Sequence, residues 1–302
     1  MMLNRVFAIA IILVIASPAR ADLPTSQPYK PVRYQLETRS DPPQRIHVVA
    51  VDLSDKNVSV HVSRGGKDPD GDGEWQTTLQ QPSRIAQREG YEVTINGDFF
   101  AHFRGKDAEG IAALKQFKGG VPAKVSGPAV SDGELWGPAG QARACLLIGK
   151  NGKPAVAMAK TPPPDAAEVI AGSDVIVKGG KNVAPPGDKP GFARGPHPRT
   201  AVGIADGGET LVLVVADGRD KEKAVGLSLT ELADVMLKYG CEDAVNLDGG
   251  GSSVLVLRDP KEGKQTILNN PSDGRERAVG NVLGIDIKGV KDAPVNAGAA
   301  TK

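Results

Sequence analysis

Three consecutive glycines behind an aspartate constrain this chain more than any other feature. The stretch from Asn246 to Ser253 reads Asn-Leu-Asp-Gly-Gly-Gly-Ser-Ser and lies between two short apolar runs. Glycine loses more backbone freedom on folding than any other residue, so a sequence keeps several together where the backbone needs positive φ or a ligand approaches closely. The stretch predicts a turn between two strands and a candidate site, with an ordinary glycine-rich turn as the alternative.

The same stretch does not match the common glycine-rich catalytic and nucleotide-binding motifs. No Gly-Lys-Ser/Thr follows the glycines, as a phosphate-binding loop requires, and no helical pattern follows them, as a dinucleotide fold requires. Ser252 lacks the Gly-x-Ser-x-Gly frame of a serine hydrolase. Its chemistry therefore has to come from side chains that meet it from elsewhere in the chain.

The N-terminus has the pattern of a secretory leader. Arg5 gives a positive start, Val6 to Ala16 an apolar core, and Ala19-Arg20-Ala21 a small-x-small cleavage site. We expect residues 1–21 to be removed and the mature chain to be secreted, periplasmic or in the cell envelope, with an uncleaved anchor as the alternative. No later apolar run reaches the length of a membrane span, so the mature chain is expected to have none.

Composition argues against several partner classes. The formal net charge is +1, no basic tract occurs and aromatic residues make up 4%, so nucleic acid is not expected as a partner. The two cysteines, Cys145 and Cys241, could form one disulfide or stay buried as free thiols. No His-Glu-x-x-His or Cys-x-x-Cys occurs, so a dedicated zinc site is not expected.

Periodicity predicts an α+β fold with a largely antiparallel sheet built from hairpins and a few packed helices. The predicted hairpins pair Ile46–Leu53 with Val58–Val62, 142–148 with 155–159 around Asn151-Gly152, and Thr200–Ile204 with Leu211–Val215. The predicted helices are Pro82–Glu89, which Gly90 stops, and Ser228–Tyr239, which begins with a Ser228–Glu231 capping box. Residues 22–44 are expected to form an extended N-terminal segment, and residues 289–302 a disordered tail.

Polar residues cluster where the predicted strands begin and end. They are Asn96, Asp98, Arg199, Thr200, Asp217, Arg219, Asn246, Asp248 and Asn281. Such placement can bring distant side chains to one rim of a sheet, although Asp-Gly is also a common turn dipeptide. Carboxylates can act as acid, base or nucleophile on a glycosidic bond, and paired guanidiniums suit a phosphate. Together these groups point to a sugar phosphodiester.

At these residues the chain resembles the phosphodiester glycosidase family. The matching segments are 94–100, 197–203, 217–219, 246–253 and 277–281, in that order. The resemblance covers residues 45 to 288, which are expected to form one phosphodiester glycosidase-like domain. It implies a hydrolase that cleaves a sugar from a sugar-1-phosphodiester, and the bacterial relatives suggest cell-surface or exopolysaccharide metabolism. Asp98 departs from the family pattern, because many relatives carry a second glycine there.

We assign roles to these residues as follows. Asp248 is the leading catalytic carboxylate, Asp217 its candidate partner, and Asp98 is held in reserve. The phosphate is expected to bind Arg199, Arg219 and the backbone amides of Gly249, Gly250 and Gly251. The remaining substrate-binding candidates, which orient sugar hydroxyls or the carboxylates, are Asn96, Thr200, Asn246, Ser252 and Asn281. A non-catalytic sugar-phosphate or glycan-binding envelope protein is the alternative function.

An acidic loop is the one candidate for a metal. Asp68, Asp70 and Asp72 alternate with Pro69 and Gly71 like the first half of a calcium loop. The second half fails, because the twelfth position is Leu79 and not a glutamate. Calcium is therefore the candidate cofactor, a solvated acidic turn is the alternative, and no other cofactor is expected.

Overall fold

The computed structural model describes residues 26–104, 117–186 and 191–290. The predicted leader, residues 1–21, and most of the predicted tail, residues 289–302, lie outside these ranges. None of the helices within them is both long and apolar enough to cross a bilayer.

Short strands make up most of the described chain. In chain order they are β1 Ser26–Tyr29, β2 Val32–Ser40, β3 Pro43–Asp52, β4 Val58–Arg64, β5 Thr77–Thr78, β6 Val93–Asn96, β7 Phe100–His102, β8 Pro122–Val125, β9 Val130–Ser131, β10 Glu134–Leu135, β11 Arg143–Gly149, β12 Pro154–Ala159, β13 Ala166–Gly172, β14 Asp174–Lys178, β15 Lys181–Asn182, β16 Arg199–Ala205, β17 Thr210–Ala216, β18 Cys241–Asn246, β19 Leu255–Arg258, β20 Gln265–Ile267 and β21 Asn281–Ile287. The helices are α1 Pro82–Glu89 and α2 Leu229–Lys238, with 3₁₀ turns at Asp206–Gly208 and Gly250–Ser252.

These strands form four sheets, and neighbouring strands run antiparallel in each. The largest has eight strands in the order β1-β2-β3-β17-β16-β18-β14-β15. Two five-stranded sheets have the orders β10-β9-β13-β11-β12 and β20-β19-β6-β21-β4, and a small one has β5-β8-β7. The antiparallel sheet of the prediction is confirmed. The α+β label is correct only roughly, because the fold is largely β with short helices packed on it.

The eight-stranded sheet is buried on both faces where β17 lies. Leu211, Leu213 and Val215 face a core shared with the two five-stranded sheets. Val212 and Val214 face the opposite way, into a core closed by α2. Because successive side chains of a strand point to opposite faces, burial on both sides requires an unbroken apolar run. The sequence Leu-Val-Leu-Val-Val has this pattern.

Both predicted helices are confirmed, and local signals explain why. Pro82 stands in the first turn of α1, and Gly90 ends the helix with a φ of 76°. At α2, the Ser228 hydroxyl accepts the N–H of Glu231 at 3.2 Å, and the Glu231 carboxylate accepts the N–H of Ser228 at 2.8 Å. This reciprocal capping box satisfies donors that no helical carbonyl can reach.

Two of the predicted hairpins are confirmed, β11 with β12 and β16 with β17. The hairpin predicted for β3 and β4 is wrong. β3 pairs with β2 and β17 in the eight-stranded sheet, whereas β4 pairs with β21 in another. The loop Ser54–Asn57 has the composition of a hairpin turn but crosses between sheets. Turn residues fix a change of direction and leave open which strand becomes the neighbour.

The N-terminal segment belongs to the eight-stranded sheet. From residue 26 the expected extended segment is indeed extended, but it contributes strands: β2 pairs with β3 from Val32↔Val51 to Ser40↔Pro43.

Cys145 and Cys241 are buried and not bonded to each other, so the free-thiol alternative holds. Cys145 packs among strands of a five-stranded sheet and Cys241 in the core under α2.

Removing the cap of α2 tests how far this local signal stabilises the fold. We expect Ser228→Ala to lower the free energy of unfolding by about 1 kcal/mol, because the N–H of Glu231 loses its acceptor. The melting temperature should then fall by about 2–4 °C in a calorimetric scan. Thr230→Ala is the control on the exposed side of the same turn. Equal melting temperatures for both variants would contradict the role given to the cap.

Candidate active site

The triple-glycine loop lies across the ends of two strands from different sheets. The N–H of Leu247 donates to the carbonyl of Thr200 at 2.9 Å, at the start of β16. One residue later, the N–H of Asp248 donates to the carbonyl of Gly97 at 3.0 Å, just after β6. These bonds place Asp248 between the eight-stranded sheet and a five-stranded sheet.

The side chain of Asn96 holds this junction together. It is fully buried at the end of β6. Its Nδ2 donates to the carbonyl of Asp248 at 2.7 Å, and its Oδ1 accepts from the Thr200 hydroxyl at 2.7 Å and from the N–H of Val254 at 3.1 Å. Asn96 and Thr200 therefore position the loop through these bonds.

Asp98 lies beside Asp248, buried at the same junction. Its Oδ2 accepts the N–H of Gly127 at 2.8 Å, and its own N–H donates to Oδ1 of Asn281 at 2.8 Å. Its Oδ1 is buried without a hydrogen-bond partner among the described residues. A Cβ on Gly97 would overlap the Asn281 amide and lie 2.7 Å from Cδ1 of Ile170, so only glycine fits before Asp98.

Burial drives the two carboxyls towards different protonation states. It raises the pKa of Asp98 well above its usual range, and the charge of Asp248 raises it further. Burial also raises the pKa of Asp248, but only to about 6, because the Ser252 hydroxyl, the Gly249 N–H and nearby guanidiniums favour its charged form. The pKa of Asp98 is thus raised by burial and by a neighbouring negative charge, whereas the rise at Asp248 is limited by its polar and cationic neighbours.

Two guanidiniums approach the Asp248 loop, and they are Arg219 and Arg277. Their positive charges lower the pKa of Asp248. Gly250 has a φ of 62°, and a Cβ there would lie 2.8 Å from Nη2 of Arg219, while a Cβ on Gly251 would overlap the guanidinium of Arg277. The positive φ favours glycine at position 250, and the absence of side chains at 250 and 251 lets both guanidiniums lie close to the loop backbone.

Arg277 is the residue that the sequence analysis missed. It forms an ion pair with Asp273 at 2.8 Å and lies 4.0 Å from the ring centre of Phe117. Arg219, by contrast, is exposed and donates to the Ser272 hydroxyl at 3.3 Å. The signal for Arg277 was present, because it opens the last matching segment, 277–281, from which only Asn281 was taken.

Two of the three glycine amides that were predicted to bind an anion already have acceptors within the protein. The N–H of Gly249 donates to Oδ1 of Asp248 at 2.8 Å, and that of Gly250 to the carbonyl of Pro198 at 2.9 Å. Both donors are already engaged within the protein. The loop therefore orients the Asp248 carboxylate and makes room for arginines, and the phosphate-binding part of the prediction moves to side chains.

Arg199 does not face Asp248, contrary to its predicted phosphate-binding role. Its guanidinium is buried on the other face of β16, where Nε donates to the carbonyl of Leu227 at 2.8 Å and Nη2 to those of Phe192 and Gly195. Burial lowers its pKa to about 10. Neighbouring residues of a strand point to opposite faces, so Arg199 points away from the junction that Thr200 faces. Its guanidinium holds the loop that contains Phe192 and Gly195.

Asp217, the predicted partner of Asp248, is engaged elsewhere. Its Oδ1 accepts the N–H of Asn270 at 2.8 Å, and its Oδ2 lies 3.4 Å from Nε of Arg45 and 3.7 Å from Nε2 of His47. The carboxylate thus ties the end of β17 to β3. The structure pairs Asp248 with Asp98, the residue that had been held in reserve.

The remaining predicted residues lie at the rim of the same junction. Asn246 is buried, and its Nδ2 donates to the Ser173 hydroxyl at 2.9 Å. Within the described parts of the chain, Oδ1 of Asn246 and Nδ2 of Asn281 are buried atoms without a hydrogen-bond partner. Ser252 is buried beside Asp248. These amides supply polar atoms around the carboxyl pair.

The acidic loop does not assemble the predicted calcium ligands. Oδ1 of Asp68 accepts the N–H of Asp70 at 3.1 Å and that of Gly71 at 2.9 Å. The Asp70 carboxylate accepts the N–H of Trp75 at 3.3 Å. These bonds stabilise the turn itself, and over the residues described here Asp68, Asp70 and Asp72 do not bring three ligand atoms together. The solvated acidic turn fits better than a calcium site.

Comparison with known proteins identifies the family. The model of the phosphodiester glycosidase family matches residues 89–286. The chain belongs to the phosphodiester glycosidase family. The SPbeta prophage-derived protein YomE of Bacillus subtilis is 43% identical over 89 residues, 30% of this chain. Human N-acetylglucosamine-1-phosphodiester alpha-N-acetylglucosaminidase is 41% identical over 75 residues, 25% of this chain. The matched region covers 13% of the length of each relative.

A solved structure supports the fold of this phosphodiester glycosidase family member. The catalytic domain of the zebrafish N-acetylglucosamine-1-phosphodiester alpha-N-acetylglucosaminidase superposes with a TM-score of 0.56. The match covers 84% of this chain and 82% of that one, at 22% sequence identity. The sheet arrangement is therefore shared over nearly the whole described chain, although most side chains differ.

The buried charge of Asp248 should make stability depend on pH. Its pKa rises from 3.8 to about 6 in the folded protein, so between these values the folded state holds a proton that the unfolded chain has lost. The wild type should therefore lose more stability than Asp248→Asn as the pH rises through this window. We expect the free energy of unfolding of the variant, relative to that of the wild type, to rise from about pH 4 to pH 7 by at most about 3 kcal/mol, as measured by thermal unfolding.

The matched control is Asp165→Asn, which removes an exposed carboxylate and should leave the pH dependence of unfolding unchanged. If the stability difference between Asp248→Asn and wild type does not grow with pH, the fold does not raise the pKa of Asp248.

Proposed function

We propose that this chain is an exported hydrolase that cleaves a sugar from a sugar-1-phosphodiester in cell-surface or exopolysaccharide metabolism. The observation that carries the proposal is the pairing of buried Asp98 with half-buried Asp248, whose loop the guanidiniums of Arg219 and Arg277 approach. The names of the mammalian relatives support the reaction class, because those proteins act on an N-acetylglucosamine-1-phosphodiester. Export rests on the leader pattern of residues 1–21.

The two arginines suit the leaving group of this reaction. Cleavage between the anomeric carbon and the phosphate oxygen leaves the electron pair on a phosphate monoester, whose negative charge grows as the bond breaks. Guanidiniums bind phosphate oxygens through charge-assisted and often bidentate hydrogen bonds. Arg219, exposed beside the loop, and Arg277, held by Asp273, can stabilise that charge in the transition state.

The two carboxyls suit the sugar side of the reaction. An ionised carboxylate can stabilise the positive charge that develops at the anomeric carbon, attack it, or activate a water. Asp248 is the carboxylate that stays charged near neutral pH. Burial raises the pKa of Asp98, which favours the protonated form, and that form can donate a hydrogen bond from Oδ1, an atom without a partner among the described residues. Environments that push two pKa values apart are the usual way for paired carboxyls to divide acid and base roles.

Replacing each carboxyl by its amide tests this division. We expect Asp248→Asn and Asp98→Asn each to lower kcat on a glycosyl-1-phosphodiester by about 10²–10⁴-fold, as measured by release of free sugar. Asp243→Asn is the control, since Asp243 lies at the opposite end of β18 and pairs with Lys178 at the surface. Unchanged turnover in folded Asp248→Asn would exclude Asp248 from the chemistry. Intact phosphodiester bound by the wild type without turnover would favour the sugar-phosphate-binding alternative.

Removing the guanidiniums tests phosphate recognition separately. We expect Arg219→Gln and Arg277→Gln each to lower kcat/KM on a glycosyl-1-phosphodiester by about 10–100-fold, the equivalent of one hydrogen bond to a charged group. An aryl glycoside of the same sugar, whose leaving group carries no phosphate, should lose much less. Lys221→Gln is the control for removing an exposed positive charge nearby. Equal losses on both substrates would assign the arginines to the sugar or to folding.

A further inference from the structure

Away from the carboxyl pair, three side chains from different elements bring metal-ligand atoms together. His61 lies on β4, Asp132 in the turn between β9 and β10, and Glu168 on β13. Nδ1 of His61 is 3.6 Å from Oε1 of Glu168 and 4.0 Å from Oδ1 of Asp132. The three ligand atoms all lie within 4.8 Å of one another. Three donors around a tetrahedral zinc ion are about 3.4 Å apart, so side-chain movements of up to about 1.4 Å would close the set.

The surrounding protein already orients these donors. Glu168 is buried, and its Oε2 accepts the N–H of Val62 at 2.8 Å while Oε1 accepts the N–H of Asp132 at 3.1 Å. The His61 ring stacks on Tyr91 with centroids 5.8 Å apart and planes 9° from parallel. Hydrogen bonds to a ligating carboxylate and a fixed imidazole plane are the supports that metal sites use. Asp132 is exposed and free to adjust.

The charges around the cluster favour a cation. Glu168, Asp132 and Asp286 all raise the pKa of His61, so three carboxylates act on one imidazole. Two of the basic residues that line the same cavity have acidic partners of their own: Arg64 lies 3.7 Å from Glu134, and Arg88 lies 2.7 Å from Glu89, while Lys67 also lines the cavity. A divalent ion would replace the contacts of His61 with Glu168 and Asp132 and leave the two arginine pairs intact.

The cluster also opens onto space for further ligands. It lines a cavity of about 870 Å³, together with Tyr91, Trp136 and Asp286 among others. Asp98 and Asp248 are not among the residues that line this cavity. Imidazole and carboxylate are ligand types that zinc accepts, and the open side leaves room for a water. The imidazole makes the set harder to fit to calcium, which prefers oxygen ligands alone.

We propose that His61, Asp132 and Glu168 bind a divalent transition metal ion, zinc being the best fit. The ion would join the edge strand β4 of one five-stranded sheet to β13 and the β9–β10 turn of the other. Motif reading expects no zinc site because the ligands are 71 and 36 residues apart in sequence, too far for a short motif. The site stands apart from the proposed hydrolase chemistry and does not depend on it.

Calorimetric titration of the metal-stripped protein with zinc tests the proposal. We expect one ion per chain for the wild type and a dissociation constant raised about tenfold or more in Asp132→Asn, which keeps a side chain that the turn tolerates. Glu134→Gln is the matched control, because it removes a carboxylate from the same hairpin and cavity wall but not from the cluster. Its affinity should match that of the wild type.

Cobalt provides a second readout that reports the ligands themselves. Visible absorption of bound Co²⁺ should appear with the wild type and be lost in His61→Gln, whose folding is checked by its melting temperature without metal. Zinc should also raise the melting temperature of the wild type, because an ion that binds only the folded state stabilises it. No binding by the wild type, equal binding by Asp132→Asn, or loss of binding in Asp70→Asn would each overturn the proposal. All of these readouts are independent of hydrolase activity.

Discussion

The active-site junction depends on one buried amide, that of Asn96. It donates to the Asp248 carbonyl and accepts from Thr200 and Val254, so it joins three segments that are far apart in sequence. An aspartate could not replace it, because a carboxylate has no donor for the Asp248 carbonyl, and an apolar side chain would leave three buried polar groups unpaired. The position of the triple-glycine loop, and with it the Asp248 carboxylate, follows from this single side chain.

The fold tolerates an unfavourable arrangement at this junction. Asp98 is buried and Asp248 half-buried, which disfavours the charged forms of both carboxyls, and the hydrogen bonds and positive charges that offset this differ between them. Asp248 has the Gly249 N–H and two arginines, whereas Asp98 has the Gly127 N–H and an unpartnered oxygen. The stability given up here separates their pKa values, and sites with such separated pairs are where proteins perform acid and base chemistry.

Local signals in the sequence predicted the parts of the fold that local interactions determine. The capping box at Ser228 defined α2 because the cap and its partner lie within one helical turn. The loop Ser54–Asn57 was misjudged because the choice of a strand's neighbour depends on distant residues. Arg199 was misassigned for a related reason: its neighbour Thr200 is the residue that faces the junction, and nothing local marks which of the two points inward. Arg277 reaches the glycine loop through tertiary packing alone.

The glycines of the loop have a different physical meaning from the one their sequence suggested. A run of backbone amides would bind any suitably sized anion, whereas here two of those amides are engaged and guanidiniums lie directly on the backbone. Under the proposed function, recognition of a phosphate depends on side chains carried by two other segments, around Arg219 and Arg277. Those segments lie outside the loop that Asn96 holds in place. Positioning of the carboxyl pair and the proposed recognition of the leaving group then rest on different parts of the chain.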